Sequence, residues 1–391
     1  MSRIAIVAHS AYPSEPRSRR MAEALAEAGY DVTIFCLRQP GQPPEDEVNG
    51  VRVVRPPVVH HQGAGAAVYV KQYTRFFWQA GAALRRHNRK SPFQLVQVHN
   101  PPDALAFCAV PLKLRGVPLV LDLRELTPEL FMSRFSLSRS SAVVRGLTLL
   151  ERSACAYANA VLVLHDRHRN IMLARGVPAR KLTQVMNCPD ERLFDLATMP
   201  SRRPPDDRFV VLYHGGIMYR NGVDLLVEAV ARVRQDIPGI KLELYGSGDL
   251  LPEIERLVAQ HDLTQTVNFH GIQPLEAMPA AITAADVGVA PLRQDVFTDC
   301  VLPTKLLEYV TLGLPVIASS TTTTTDYFDE STVLLHTPGD AVDLASKLLE
   351  VFRHPAAAQT RAECARRFIL AHNWRGESAA YLRLIRQLTG A

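Results

Sequence analysis

No segment of this 391-residue chain stays apolar for the roughly 18 residues that a membrane-crossing helix needs. Cysteine is sparse and scattered. The six thiols, Cys36, Cys108, Cys155, Cys188, Cys300 and Cys364, form no Cys-x-x-Cys pair. That argues against a disulfide framework or a zinc site and for a reducing compartment. The opening SRIAIVAHSAYP enters a strand pattern directly, without the long apolar core of a signal peptide, so a cytoplasmic protein is expected. The phosphate loop Gly-x-x-x-x-Gly-Lys-Ser/Thr and the dinucleotide pattern Gly-x-Gly-x-x-Gly are both missing. No nucleic-acid-binding module is recognisable either, so nucleic acid is not expected as a partner. Neither a metal-ligand cluster nor an Asp-x-Asp pair is evident, and no cofactor or metal is expected.

The length suits two domains of about 150–200 residues each. A hydrophobic content of 47% is ordinary for a globular chain. The charge is uneven: residues 1–195 carry 26 Lys and Arg against 16 Asp and Glu, while the remainder is acidic, for a net charge of +5 overall. A basic half beside an acidic half suggests that one half faces something anionic.

Along the first half, apolar strand patterns alternate with helical ones. RIAIVAH, DVTIFCL, VRVVRPP, FQLVQVH, VPLVLDL, AVLVLH and KLTQVM read as strands too apolar to be half-exposed, the mark of a parallel sheet covered on both faces. In such sheets ligands meet the strand C-termini. Arg17, Arg19 and Arg20 follow the first strand and suit an anionic group, or are solvated arginines. His99 closes a strand, Asp103 follows a double proline, and Asp122, Arg124, Glu125 and Glu129 leave the next strand. Residues 68–90 show helical spacing at Val70, Tyr73, Phe77, Ala80 and Leu84, with six basic residues and several aromatics around them. This stretch and Phe131–Ser153 fit either an anionic membrane surface or a core helix with a solvated basic end.

The Pro-rich residues 199–207 read as a linker. After them FVVLYH runs into Gly215-Gly216, with Arg220 and Asn221-Gly222 close behind. KLELYG leads to Gly246 and Gly248, and paired glycines let backbone N–H groups approach a phosphate. TVNFHG, ADVGVAPL and LPVIAS are three further strands, and residues 373–391 read as a final helix packing back toward the first domain. In VLPTKLLEYVTLGLPVIASS, Pro303 opens a short helix and Gly313 ends it. Lys305 and Glu308 lie three apart on one face, as ligand-binding groups or as an ordinary ion pair.

Taken in order, AIVAHSAYPSEPRSRRMAEALAEAGYDVTIFCL, VMNCPDERLF, YHGGIMYRNGVDLLVEAV, LELYGSGD, VNFHG, ADVGVAPL and PTKLLEYVTLGLPVIAS resemble the group-1, family 4 retaining glycosyltransferases nearly end to end. The resemblance implies a GT-B fold: two doubly wound Rossmann-like α/β domains, residues 1–198 and 208–372, facing each other across a cleft. It implies a hexosyltransferase-type enzyme that moves a sugar from a nucleoside-diphosphate sugar with retention, in polysaccharide or glycolipid assembly. It implies donor-binding positions at Gly215, Gly216, Gly246, His270, Asp299, Cys300, Val301, Leu302 and Glu308, with Glu308 on the ribose hydroxyls. Acceptor-side positions are Arg17, Asp103, Arg124 and Glu125, and the acceptor is a glycan or lipid-linked glycan. The family's first Glu falls on Cys300, and its diphosphate-binding Arg and Lys fall on Gly216 and Asn221. Arg220 and Lys305 are the nearest cations and are expected to share that work, with His99 as the third catalytic position. These departures also fit a non-catalytic scaffold that kept the fold. Peripheral contact with the inner face of the plasma membrane, through the basic half, completes the expectation.

Overall fold

The computed structural model describes residues 2–58, 66–195, 197 and 207–390. It divides into two compact units. The first runs to Asn187 and takes in the chain from Arg375 onward; the second is Cys188 to Trp374. The expected linker, Asp207 apart, lies outside the described residues.

The first unit is built on eight strands: β1 (Arg3–Ala11), β2 (Asp31–Leu37), β3 (Glu45–Val48), β4 (Val51–Val54), β5 (Leu95–His99), β6 (Leu119–Asp122), β7 (Ala160–Val163) and β8 (Leu182–Gln184). Their order is β3-β4-β2-β1-β5-β6-β7-β8. Every pairing is parallel except β3 with β4. Residues Ile4 to Ala8 are fully buried, as a strand covered by helices on both faces requires. The chain starts at β1, winds outward to β4, then returns past β1 to β5. The two exits diverge between β1 and β5, the switch point where such sheets bind ligands.

The helix Ala66–Lys90 forms as expected, but its buried stripe is displaced. Phe76, Ala80 and Leu84 are fully enclosed, whereas Val70 and Trp78 face solvent. Phe76 and Tyr73 both meet the His9 ring edge-on, at 5.1 and 4.7 Å. The final helix Trp374–Thr389 packs on the same unit. Tyr381 is fully buried there and its hydroxyl donates to Gln97 Oε1 at 2.7 Å. Glu377 accepts from the Met186 amide.

The second unit has six strands: β9 (Phe209–His214), β10 (Ile240–Tyr245), β11 (Val267–Gly271), β12 (Val287–Ala290), β13 (Val316–Ser319) and β14 (Leu334–His336). All pairings are parallel, in the order β11-β10-β9-β12-β13-β14. This is the doubly wound arrangement, with its switch point between β9 and β12. The helix Val223–Val233 buries seven of its eleven residues against this sheet, and Leu242 and Leu244 of β10 join that core.

Candidate functional site

In the second unit the loop after β9 and the helix Thr304–Thr311 meet at the strand C-termini. Gly215 sits at φ +123° and Gly246 at φ +133°. A Cβ on Gly246 would stand 1.9 Å from the Gly215 carbonyl oxygen, so the β9 and β10 exit loops approach more closely than any side chain allows. A Cβ on Gly215 would crowd the Lys305 ammonium at 3.3 Å. The ammonium lies 4.5 Å above the Tyr213 ring and donates to the Tyr213 hydroxyl at 3.3 Å. That hydroxyl in turn donates to the Gly216 carbonyl at 2.7 Å.

Lys305 and Glu308 form no ion pair with each other, which removes the ordinary reading of their spacing. Each reaches a β9 group instead. Glu308, 3% exposed, puts Oε2 3.1 Å from His214 Nε2. The Tyr309 hydroxyl accepts from the His214 amide at 3.3 Å. Burial pushes the Lys305 ammonium down to about 8; Glu308 opposes this and Arg220 adds to it. Arg220 thus belongs to the same electrostatic neighbourhood. Its guanidinium stacks over Phe297 at 5.4 Å, and its carbonyl accepts from the Arg293 amide, tying the β9 loop to the β12 exit. At the two positions where the family's cations would stand, Asn221 Nδ2 donates to the Gly216 carbonyl at 2.5 Å.

The other expected donor residues are placed differently. Asp299 Oδ1 accepts from the Thr322 amide and hydroxyl at 3.1 and 2.9 Å, clamping the start of the next helix. Asp295, in the same loop but outside the donor set that the resemblance implies, accepts from the Phe297 and Thr298 amides. Cys300 directs Sγ to the Val296 carbonyl at 3.4 Å. Leu302 is buried, and Val301 precedes it with its amide on the Thr298 carbonyl. His270 lies on the edge strand β11, stacked on Tyr245 at 4.1 Å and held by Glu243 at 2.5 Å. Among the described residues no contact joins it to Lys305 or Glu308.

In the first unit the expected acceptor-side residues prove largely internal. Arg17 is 2% exposed, and both its Nε and Nη2 donate to Asp122, with Nη1 on the Val185 carbonyl. Burial alone would lower its affinity for a proton, but Asp122 outweighs that and raises it. His99 is turned inward in the same way. It is fully enclosed, with Nδ1 3.2 Å from Asp122 Oδ2 and Nε2 2.8 Å from Gln97 Nε2, so it does not present a ring nitrogen to solvent. Burial holds it down to about 4, against the pull of Asp122. Asp103 is also fully buried, accepting from Asn100 at 2.9 Å, and burial raises it. Arg124 remains partly exposed and pairs with Glu15 at 2.9 Å. Glu125 stays half-buried beside it, its amide on Asn100 Oδ1.

Sequence reasoning passed over His214, Tyr213, Gln97 and Tyr381. His214 carried the signal used for His99, a histidine closing a strand. Gln97 and Tyr381 carried none, being 284 positions apart.

The sequence of the first unit matches a model of the glycosyl transferase 4-like domain over residues 14–188, and the second matches glycosyl transferases group 1 over 208–354. The chain is 25% identical to 2-deoxystreptamine glucosyltransferase of Streptomyces kanamyceticus, across 86% of this chain and 89% of that one. It is 27% identical to alpha-D-kanosaminyltransferase of the same organism, spanning about half of each, 53%. Sucrose-phosphate synthase from Thermosynechococcus elongatus superposes over 100% of both chains with a TM-score of 0.80 at 22% identity. Anabaena HepE in complex with UDP-glucose does so over 99% of this chain and 100% of that one, with a TM-score of 0.72 at 15% identity. Two consecutive domain matches and a shared pair of parallel Rossmann-like sheets lead to one conclusion: the chain belongs to the group-1, family 4 glycosyltransferases of the GT-B fold.

Proposed function

We propose that the protein transfers a hexose from a nucleoside-diphosphate sugar to a hydroxyl acceptor, with retention at the anomeric carbon. The observation that carries this is the grouping of Lys305, Arg220 and Glu308 at the β9 switch point of the second unit. A leaving diphosphate gathers negative charge as the sugar departs, and fixed cations and backbone N–H groups stabilise that charge. Lys305 and Arg220 supply it, with the glycine-lined exits of β9 and β10 admitting the phosphates. Glu308, whose carboxylate accepts from two vicinal hydroxyls, takes the ribose. The transfer proceeds at the front face, with the departing phosphate receiving the acceptor's proton. Charge neutralisation by these side chains makes a metal unnecessary, and turnover in excess chelator tests that point.

The acceptor is a glycan or lipid-linked glycan in polysaccharide or glycolipid assembly. The exposed Val70 and Trp78 on the basic helix Ala66–Lys90 support peripheral contact with an anionic membrane. No described helix is long and apolar enough to cross one.

A thermal-shift screen with UDP, GDP, ADP and TDP sugars tests the donor. The cognate nucleotide at 100 times its Kd adds about 2.7 kcal/mol of stability. Glu308→Ala abolishes that shift, and no shift with any nucleotide refutes the reading. The uncharged Gly216–Asn221 contact favours a second reading, a non-catalytic scaffold. Detectable sugar transfer or donor hydrolysis excludes it.

A further inference from the structure

The helices Thr127–Phe135 and Ala142–Tyr157 of the first unit border a half-open pocket of about 380 Å³, within the range of small-molecule sites. Arg139, Arg145, Arg152 and Arg175 line it, against a single carboxylate, Glu129. Arg145 and Arg152 are seven residues apart on one helix, two turns on the same face, with Thr148 and Leu149 between them. Both are exposed, and neither has a carboxylate partner among the described residues. Arg175 differs. Its guanidinium bridges Glu129 and the fully buried Glu151, each at 2.5 Å, so it is a fixed wall of the pocket.

Glu129 is 4% exposed and lines the cavity. Its Oε1 is taken by Arg175, with Arg139 at 3.9 Å, but Oε2 is buried without a hydrogen-bond partner. A buried carboxylate oxygen left unmatched is costly, and a ligand hydroxyl would satisfy it. Two unpaired guanidinium groups want an oxyanion, for which their planar donor fork is suited. Met132 and Leu149 add an apolar wall that suits the C–H face of a sugar ring or a glycerol backbone. Residues suited to an anion and to a hydroxyl thus line one pocket.

We propose that this pocket binds a phosphorylated polyol, with phosphate oxygens on Arg145 and Arg152 and an adjacent hydroxyl donating to Glu129 Oε2. The ligand is a sugar phosphate, free or presented as a headgroup of the same chemistry. The site uses residues of the first unit alone, whereas the donor cluster belongs to the second.

Isothermal titration of the full chain with glucose 6-phosphate, glucose and inorganic phosphate at low salt tests the assignment. Glucose 6-phosphate binds, and both fragments bind at least about tenfold more weakly. The double variant Arg145→Gln/Arg152→Gln changes only exposed side chains, so it keeps the wild-type melting temperature and loses about tenfold or more in affinity. No heat with glucose 6-phosphate, or equal affinity in the double variant, overturns the proposal. Inorganic phosphate binding as tightly as the sugar phosphate overturns the role of Glu129. Co-sedimentation with phosphatidylglycerol vesicles identifies the source. Sedimentation competed by glucose 6-phosphate supports a headgroup, and its absence alongside a positive titration supports a free sugar phosphate. Sedimentation without any sugar-phosphate binding overturns the pocket in favour of a general anionic surface.

Discussion

Lys305 links the geometry of the second unit to a measurable proton. Its ammonium sits over Tyr213 and against Gly215, and burial brings it from an ordinary 10.5 down to about 8. The group holds its proton less firmly when folded than when unfolded. It therefore costs stability below pH 8, and the cost is relieved as pH rises from 8 toward 10.5. That difference is worth about 3 kcal/mol at full effect, at 1.36 kcal/mol per pKa unit. A diphosphate bound beside it supplies the missing counter-charge and restores the proton. At pH 8 the free protein carries the charge about half the time, so binding takes up about 0.5 proton. Titrating the cognate nucleoside diphosphate at pH 8 in buffers of different ionisation enthalpy reads this number directly. Lys305→Met abolishes the uptake, weakens nucleotide binding and stabilises the free protein near pH 7. Binding without proton uptake between pH 7.5 and 8.5, or uptake that survives in Lys305→Met, refutes the placement of the diphosphate beside this residue.

Three further outcomes follow from the same geometry. Arg220→Ala lowers kcat about a hundredfold or more, because it removes a charge contact at the leaving group, and Arg220→Gln, which keeps part of the stack on Phe297, lowers it comparably; unchanged turnover refutes its role. Arg17→Met removes the paired guanidinium from the fully buried Asp122, leaving it with the His99 ring, and destabilises the first unit by about 3–5 kcal/mol, while adding Asp122→Leu recovers much of the loss. Chemical denaturation of the single and double variants measures both. Burial holds His99 down to about 4, His168 to about 3 and His336 to about 4, each below its ordinary 6.5. The unfolded chain takes up protons first, so stability is full above pH 6.5 and falls as pH drops toward 4. His336→Gln flattens that fall in a pH series of melting temperatures, and an identical slope refutes the contribution.

Strand content was legible wherever strands are apolar and covered. β1, β2 and β9 were readable because burial on both faces leaves a run of Ile, Val, Leu and Phe. β3 and β14 were not. EDEV is an exposed, acidic, antiparallel edge, and LLH is three residues long, so neither shows a period. The buried stripe of the helix Ala66–Lys90 was misplaced for a related reason. Phe76 and Phe77 are equally apolar, and only the packing of the helix on its unit, which sets Phe76 against the His9 ring, tells them apart.

The site divides along the same line. The chain order of motifs, the glycine-rich strand exits and the Lys305–Glu308 spacing were set by sequence, because each is a local pattern of at most a few turns. What those side chains touch was decided by tertiary structure. Lys305 and Glu308 look like partners along the helix, yet each reaches β9, which lies some ninety positions away in the chain. Arg17, His99 and Asp103 read as ligand-facing groups at strand ends. They turn inward instead, where Arg17 meets Asp122, His99 meets Gln97 and one oxygen of Asp103 meets Asn100, because desolvated polar groups need such partners. Sequence determined which chemistries were present and the scaffold that carries them. Only the fold settled which charges are consumed holding it together, since pairing depends on distances in space that spacing along the chain does not contain.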